Sequence, residues 1–159
     1  MKLVGLLLVF LGCTLGGYHF VKREGQRIHR MESLLDLVRE LRRSISFLRL
    51  PLEEIYKRFF AESLKDTTFP DVLRKRGLYV AYEENQDLFG FDGFTQSRLM
   101  SFAASLGKHP AEEEIRSCDE IEALLSDVID RAKREYPTKQ RLYAALGISL
   151  GIGAVILLI

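Results

Sequence analysis

The chain is predicted to be all-α: an antiparallel helical bundle of about five to six helices, flanked by an N-terminal and a C-terminal transmembrane helix. Three observations predict this. Both ends are uncharged and apolar all round, the middle carries apolar residues at helical spacing, and only one short segment between them has a strand-like composition. The overall averages hide the pattern: net charge is +1 and 28% of residues are charged, yet Leu3 to Phe20 and Leu142 to Ile159 hold no formal charge. Such a balanced sum implies no strongly basic surface, so nucleic acid is not an expected partner.

Each uncharged run is 18 residues long. At the rise of an α-helix that is roughly 27 Å, close to the thickness of a bilayer's hydrocarbon core. The lipid bilayer is therefore an expected partner. The expected organisation is a transmembrane helix with a short tail over 1–21, a cytoplasmic helical-bundle domain over 22–137 and a transmembrane helix over 138–159. Lys22, Arg23, Arg27 and Arg30 follow the first run, and Lys133, Arg134, Lys139 and Arg141 precede the second. Outside the pair stands only Lys2. The bias of basic residues toward the cytosol makes both inner flanks cytoplasmic and puts both termini outside. The alternative for the first run is a secretory signal, and Phe10-Leu11-Gly12-Cys13 loosely resembles the cleavage and acylation site of bacterial lipoproteins. That alternative exports the central domain, against the charge bias.

The first long cytoplasmic helix is expected from Lys22 to about Leu48. Leu34, Val38, Leu41, Ile45 and Leu48 recur at alternating spacings of four and three, which puts them on one stripe. Gly25 alone interrupts the stretch from Tyr18 to Gln26, so the membrane helix is expected to run straight on. Leu50-Pro51 marks a boundary, because a residue before proline disfavours the helical region. Pro51 suits the first turn of a second helix, with Glu53 and Glu54 complementing its dipole. Leu52, Ile55, Phe59 and Phe60 are expected to face inward, and the helix to end near Leu64. After the polar turn Lys65-Asp66-Thr67-Thr68, short helices are expected over about 70–75 and 78–86. Leu78-Tyr79-Val80-Ala81-Tyr82 also has strand composition, but no second strand is available to pair with it.

Phe89-Gly90-Phe91-Asp92-Gly93-Phe94 is expected to be a loop with aromatic anchors. Leu99, Phe102, Ala103 and Leu106 then define an amphipathic helix that Gly107 terminates. His109-Pro110 restarts the chain, and Glu112, Glu113 and Glu114 fill the next first turn. Cys118, Ile121, Leu125, Val128 and Ala132 form the stripe of a last long helix, expected to pack along the first. Pro137 is expected to separate it from the second membrane helix, with a kink or a short break.

Signals for catalysis are weak. His19, His29 and His109 lie far apart, with no metal-ligand spacing to one another or to a cysteine. Cys13 falls in the apolar run and Cys118 on an apolar stripe, where a small buried thiol is the ordinary reading. No cofactor and no metal are expected. Gly12 and Gly16, and likewise Gly147 and Gly151, form GxxxG pairs suited to close packing of membrane helices. The acidic residues Glu53, Glu54, Glu112, Glu113 and Glu114 are the candidate partner surface.

The order of these features resembles the stage III sporulation protein AB family. The resemblance covers essentially the whole chain. It is carried by the glycine-bearing first helix, Leu50-Pro51-Leu52-Glu53-Glu54, Phe102 to Leu106-Gly107-Lys108, the helix ending in Ala132, and Leu142-Tyr143-Ala144-Ala145-Leu146-Gly147-Ile148 with its apolar tail. The chain departs from the family at Ala81-Tyr82, where tryptophan usually follows alanine, and at Glu112-Glu113-Glu114, where glutamine is common. The resemblance implies a non-enzymatic membrane component of the mother cell–forespore channel, with a soluble domain similar to the cytoplasmic domains of type II secretion and type IV pilus platform proteins. It further implies, as partners, a secretion-type ATPase and other channel membrane proteins. The rival reading from another class is a membrane-tethered regulator or enzyme, for which the residues offer no catalytic cluster.

Overall fold

The protein was examined as a computed structural model. It describes the backbone of residues 2–48 and 50–158, and the side-chain surroundings of His19 and of most residues from 21 to 146, together with 149 and 153. Among the described residues six α-helices follow in order: α1 Lys2–Arg43, α2 Leu52–Arg58, α3 Phe69–Arg76, α4 Leu78–Glu84, α5 Gly93–Ser105 and α6 Ala111–Leu158. A π-helical turn covers Ser44–Leu48, and 3-10 turns cover Glu62–Leu64 and Gln86–Leu88. No strand occurs among the described residues. The Leu78-to-Tyr82 segment is helical, as an isolated strand would leave its backbone groups unpaired.

The chain divides into two compact units, Arg27–Asp130 and the pair of segments Met1–Gln26 and Arg131–Ile159. In the second unit, the Tyr136 hydroxyl donates to the Val21 carbonyl at 3.4 Å and Lys139 pairs with Glu24 at 3.5 Å. The segments of α1 and α6 are therefore neighbours there. Gly25 faces the Tyr136 ring so closely that a Cβ would lie 3.1 Å from its hydroxyl. Among the described residues no helix is long and apolar enough to cross a membrane. The surroundings of nearly all residues in both uncharged runs, including Gly12, Gly16, Gly147, Gly151 and Cys13, lie outside the described residues.

The first unit is a helical domain around one core. In it α1 and α6 run antiparallel: Arg39 Nε bonds Glu122 Oε1 at 2.8 Å, and Arg42 one turn on pairs with Asp119. The expected stripe of α1 is buried at Leu34, Val38 and Leu41, and the buried set also takes in Met31, Leu35 and Leu37. So wide an apolar arc means that α1 is enclosed on more than one side. On α6 the buried stripe is Cys118, Ile121, Leu125 and Ile129; Val128 and Ala132 are only half-buried. At 3.6 residues per turn an alternating spacing drifts, and Ile129 replaces Val128 at the centre of the face.

Three further expectations are corrected. The second helix ends at Arg58, because Phe59 takes an extended conformation at φ −64°, ψ 125°, and this turns Phe60 outward to 72% exposure. Phe94 lies in the first turn of α5 and is exposed, whereas Phe89 and Phe91 anchor the loop as expected. Pro137 does not end α6, which continues through it. A proline removes one helical hydrogen bond, and most residues from 133 to 138 are exposed, so water can serve the released backbone group.

Aromatic rings close the core beneath α3 and α4. Phe89 meets Phe69 edge-on at 5.5 Å, stacks on Phe91 at 6.0 Å and lies 5.7 Å from Tyr82. Tyr82 is 1% exposed and its hydroxyl has no hydrogen-bond partner. Opposite, Ser63 donates to the His29 carbonyl and shares a 2.6 Å bond with Ser33, which ties the 3-10 turn at Glu62–Leu64 to α1.

Candidate docking surface

The candidate glutamates do not behave alike. Glu53 and Glu54 are exposed on α2, where Glu54 pairs with Arg58 one turn on, and Glu112 and Glu113 are exposed at the start of α6. Glu114 is a correction to the expected surface: it is 5% exposed. Its Oε1 accepts from the backbone N–H of Gly107 at 2.8 Å, and from those of Lys108 and His109 at 3.1 Å each. The helical spacing explains the difference. Glu114 falls one turn before Cys118 on the inward face, so its carboxylate is carried under the loop that joins α5 to α6.

That loop is built by local rules. Leu106 closes α5 with its N–H on the Phe102 carbonyl, and Gly107 follows at φ +83°, the left-handed turn that favours glycine. Three successive N–H groups then converge on one point, and a buried carboxylate satisfies them. The consequence is positional. Lys108 is held on the edge of a cleft of about 780 Å³ bordered by α2, the α3–α4 corner and the end of α5.

The cleft has an apolar floor and a basic rim. Leu52 and Tyr79 contribute apolar surface over the buried Leu73, Leu78 and Leu106, while Arg74, Lys75, Arg76 and Lys108 line it with only Glu53 as a carboxylate. Arg74, Lys75 and Arg76 form the last turn of α3, where positive charge suits the helix dipole. Arg74 lies 3.9 Å from Asp71 and Arg76 pairs with Glu84. Among the described residues neither Lys75 nor Lys108 makes an ion pair.

Below the cleft, Tyr56 accepts a hydrogen bond from the Leu78 backbone, and burial pushes its hydroxyl up to about 12 despite that bond. Cys118 is fully buried, and its thiol is likewise pushed up to about 12 by burial first and by the Glu114 charge second. Both groups are neutral at physiological pH and serve as packing. Among the described residues no group of three or more His, Cys, Asp or Glu stands together as a metal site.

Sequence reasoning missed the cleft. The Arg74-Lys75-Arg76 run and Lys108 are each visible, but more than thirty residues separate them. Only the corner at Gly77, at φ +84°, and the return of α5 bring them to one opening.

No curated protein and no solved structure matches the chain. Residues 2–159 match the family described as stage III sporulation protein AB. With practically its whole length matched, the chain belongs to the stage III sporulation protein AB family, which gives it a role in sporulation.

Proposed function

We propose that this chain is a non-enzymatic platform of the mother cell–forespore channel complex, anchored by a membrane hairpin and docking a cytosolic secretion-type ATPase through its helical domain. One observation carries the reading: two uncharged 18-residue runs bracket a compact, charged helical domain. The contacts of Val21 with Tyr136 and of Glu24 with Lys139 support it, since they bring the two basic flanks of the runs together. A closed hairpin with both flanks in the cytosol accommodates this adjacency. The domain's surface is dominated by charged side chains, the kind of surface that steers a cytosolic partner. Glu53, Glu54, Glu112 and Glu113 are the exposed acidic candidates for the contact; Glu114 leaves the set because its carboxylate is engaged internally.

The test is recovery of tagged full-length chain from sporulating cells. The ATPase is expected to co-purify from the membrane fraction, and a reporter fused within the helical domain is expected to report cytosol. An extracytoplasmic reporter signal refutes the hairpin. Absence of an ATPase from the membrane-inserted material refutes the platform.

A further inference from the structure

We propose that the cleft rimmed by Arg74, Lys75, Arg76 and Lys108 is a docking groove for an acidic peptide segment bearing an apolar anchor, carried by the partner that the helical domain receives. The identity of that partner rests on the platform reading; the chemistry of the segment rests on the cleft.

The rim is one-sided in charge, with four cations against the single carboxylate of Glu53. Arg74 and Arg76 already have carboxylates within the domain. The unspent charge belongs to Lys75 and Lys108, whose compact ammonium groups bind carboxylates without demanding a fixed planar geometry. Between them the opening offers the half-buried Leu52 and the partly exposed Tyr79, with Leu106 packed beneath, surface suited to one large apolar side chain. The volume of about 780 Å³ is in the range of clefts that take a ligand of several side chains.

Other anions fit less well. A small phosphate-like group needs converging donors, and Arg74 and Arg76 each already face a carboxylate that such an anion would meet. A flat lipid surface reaches protruding lysines but not a recessed apolar floor. Nucleic acid needs a longer basic track with stacking rings.

Lys108 is the telling member of the rim. The basic residues ending α3 complement that helix's dipole whatever else they do. Lys108 stands apart from α3, in the loop just beyond α5, and three hydrogen bonds to a buried carboxylate fix the loop that carries it. Its neighbours on the floor come from α2, α4 and α5, so the site has the rigid support that recognition of a flexible segment requires.

The experiment uses the full chain in detergent and fluorescence anisotropy. The probe is a short labelled peptide rich in Glu and Asp around a central Leu-Phe pair, compared with the same peptide carrying Gln and Asn. The acidic peptide is expected to bind about tenfold more tightly and to weaken as salt rises. Lys75→Glu with Lys108→Glu is expected to cost about tenfold or more, and Tyr79→Ser several-fold, with each variant still folded by circular dichroism at the assay temperature, since Lys75 loses only a helix-end charge contact and Tyr79 is partly exposed. Lys65→Glu with Arg116→Glu, both off the cleft, is the control and is expected to bind as the parent does.

Equal binding of the two peptides, or equal loss in the control, overturns the groove. So does binding of glycerophosphoglycerol, the headgroup of phosphatidylglycerol, that requires Lys75 and Lys108 while the peptide fails to bind. Recovery from sporulating cells separates this proposal from the platform reading. If the parent chain brings down an ATPase and the cleft variant brings down as much, the groove is overturned and the platform stands. If the parent brings down none, the platform fails, and the peptide titration alone decides whether the cleft recognises acidic segments.

Discussion

Glu114→Gln isolates what the buried carboxylate does, because the amide keeps the size and one acceptor oxygen but loses the charge. In the parent, one oxygen accepts three backbone N–H bonds at 2.8, 3.1 and 3.1 Å. Bonds to an ionised acceptor contribute about 1.5–3 kcal/mol each, and neutral ones about half that. Three such differences do not add in full. They share one oxygen, the Lys108 N–H also donates to the Ser105 carbonyl at 3.1 Å, and Gly107, Lys108 and His109 are exposed, so other acceptors replace part of what is lost. Relief of desolvating the charge offsets a further part. The net cost is roughly 1–2 kcal/mol, and a lowering of the melting temperature of about 5–10 °C follows for a domain the size of Arg27–Asp130. Glu114→Ala, which removes the acceptor altogether, is expected to cost about 2–4 kcal/mol.

The assay is thermal unfolding of the full chain in detergent, followed by far-ultraviolet circular dichroism. Glu112→Gln, at an exposed site two residues away, is the control and is expected to stay within about 0.5 kcal/mol of the parent. The reasoning fails if Glu114→Gln melts with the parent, or if the two glutamine variants lose stability equally. A second readout separates a held loop from general stability. Hydrogen exchange at the amides of Gly107, Lys108 and His109 should accelerate in Glu114→Gln before the amides of the α1 core do.

Other outcomes follow from single features. Tyr82→Phe removes a buried hydroxyl that has no hydrogen-bond partner, so unfolding should show a gain of about 1 kcal/mol; a loss of that size would reveal a partner for the hydroxyl. Gly107→Ala should lose about 1–2 kcal/mol in the same melt, since φ is +83° and a Cβ would lie 3.0 Å from Leu52 Cδ1. Cys118, in a Cys13→Ser background, should resist a disulfide-exchange reagent at pH 8 and react once the chain is unfolded in denaturant. Its thiol titrates at about 12 in the fold, against 9.0 for an ordinary thiol. The stability that accompanies this raised value is present below pH 9.0 and is lost as pH rises toward about 12; Cys118→Ala should flatten that part of the pH–stability curve.

The helices were legible where apolar spacing was strong. Leu34, Val38 and Leu41, and again Cys118, Ile121 and Leu125, are buried on the faces their spacing assigned, and α1 and α6 lie together as those stripes required. Boundaries were less legible. Proline both removes a helical hydrogen bond and crowds the preceding turn, and whether the helix continues through Pro137 depends on its surroundings in the fold, not on the residue alone. Phe60 follows a phenylalanine whose extended backbone the sequence does not announce. At the candidate surface, composition marked Glu112, Glu113 and Glu114 as one acidic first turn. Helical phase separates them: two face water, and the third turns inward to bond a loop.

That separation changes how the charge of the domain is understood. An acidic triplet at a helix start and a basic run at a helix end are each explained by dipoles, and a dipole explanation gives no reason to look for a partner. The structure links one member of the triplet to a lysine outside the α3 run, just beyond the end of α5. Glu114 fixes the loop of Lys108, and Lys108 shares a cleft with the basic end of α3. Had the rim existed only to stabilise α3, it would end at Arg76. Its continuation on a separate loop, held by a buried carboxylate at the cost of desolvating that charge, is better explained by something the cleft must hold than by the stability of the helices around it.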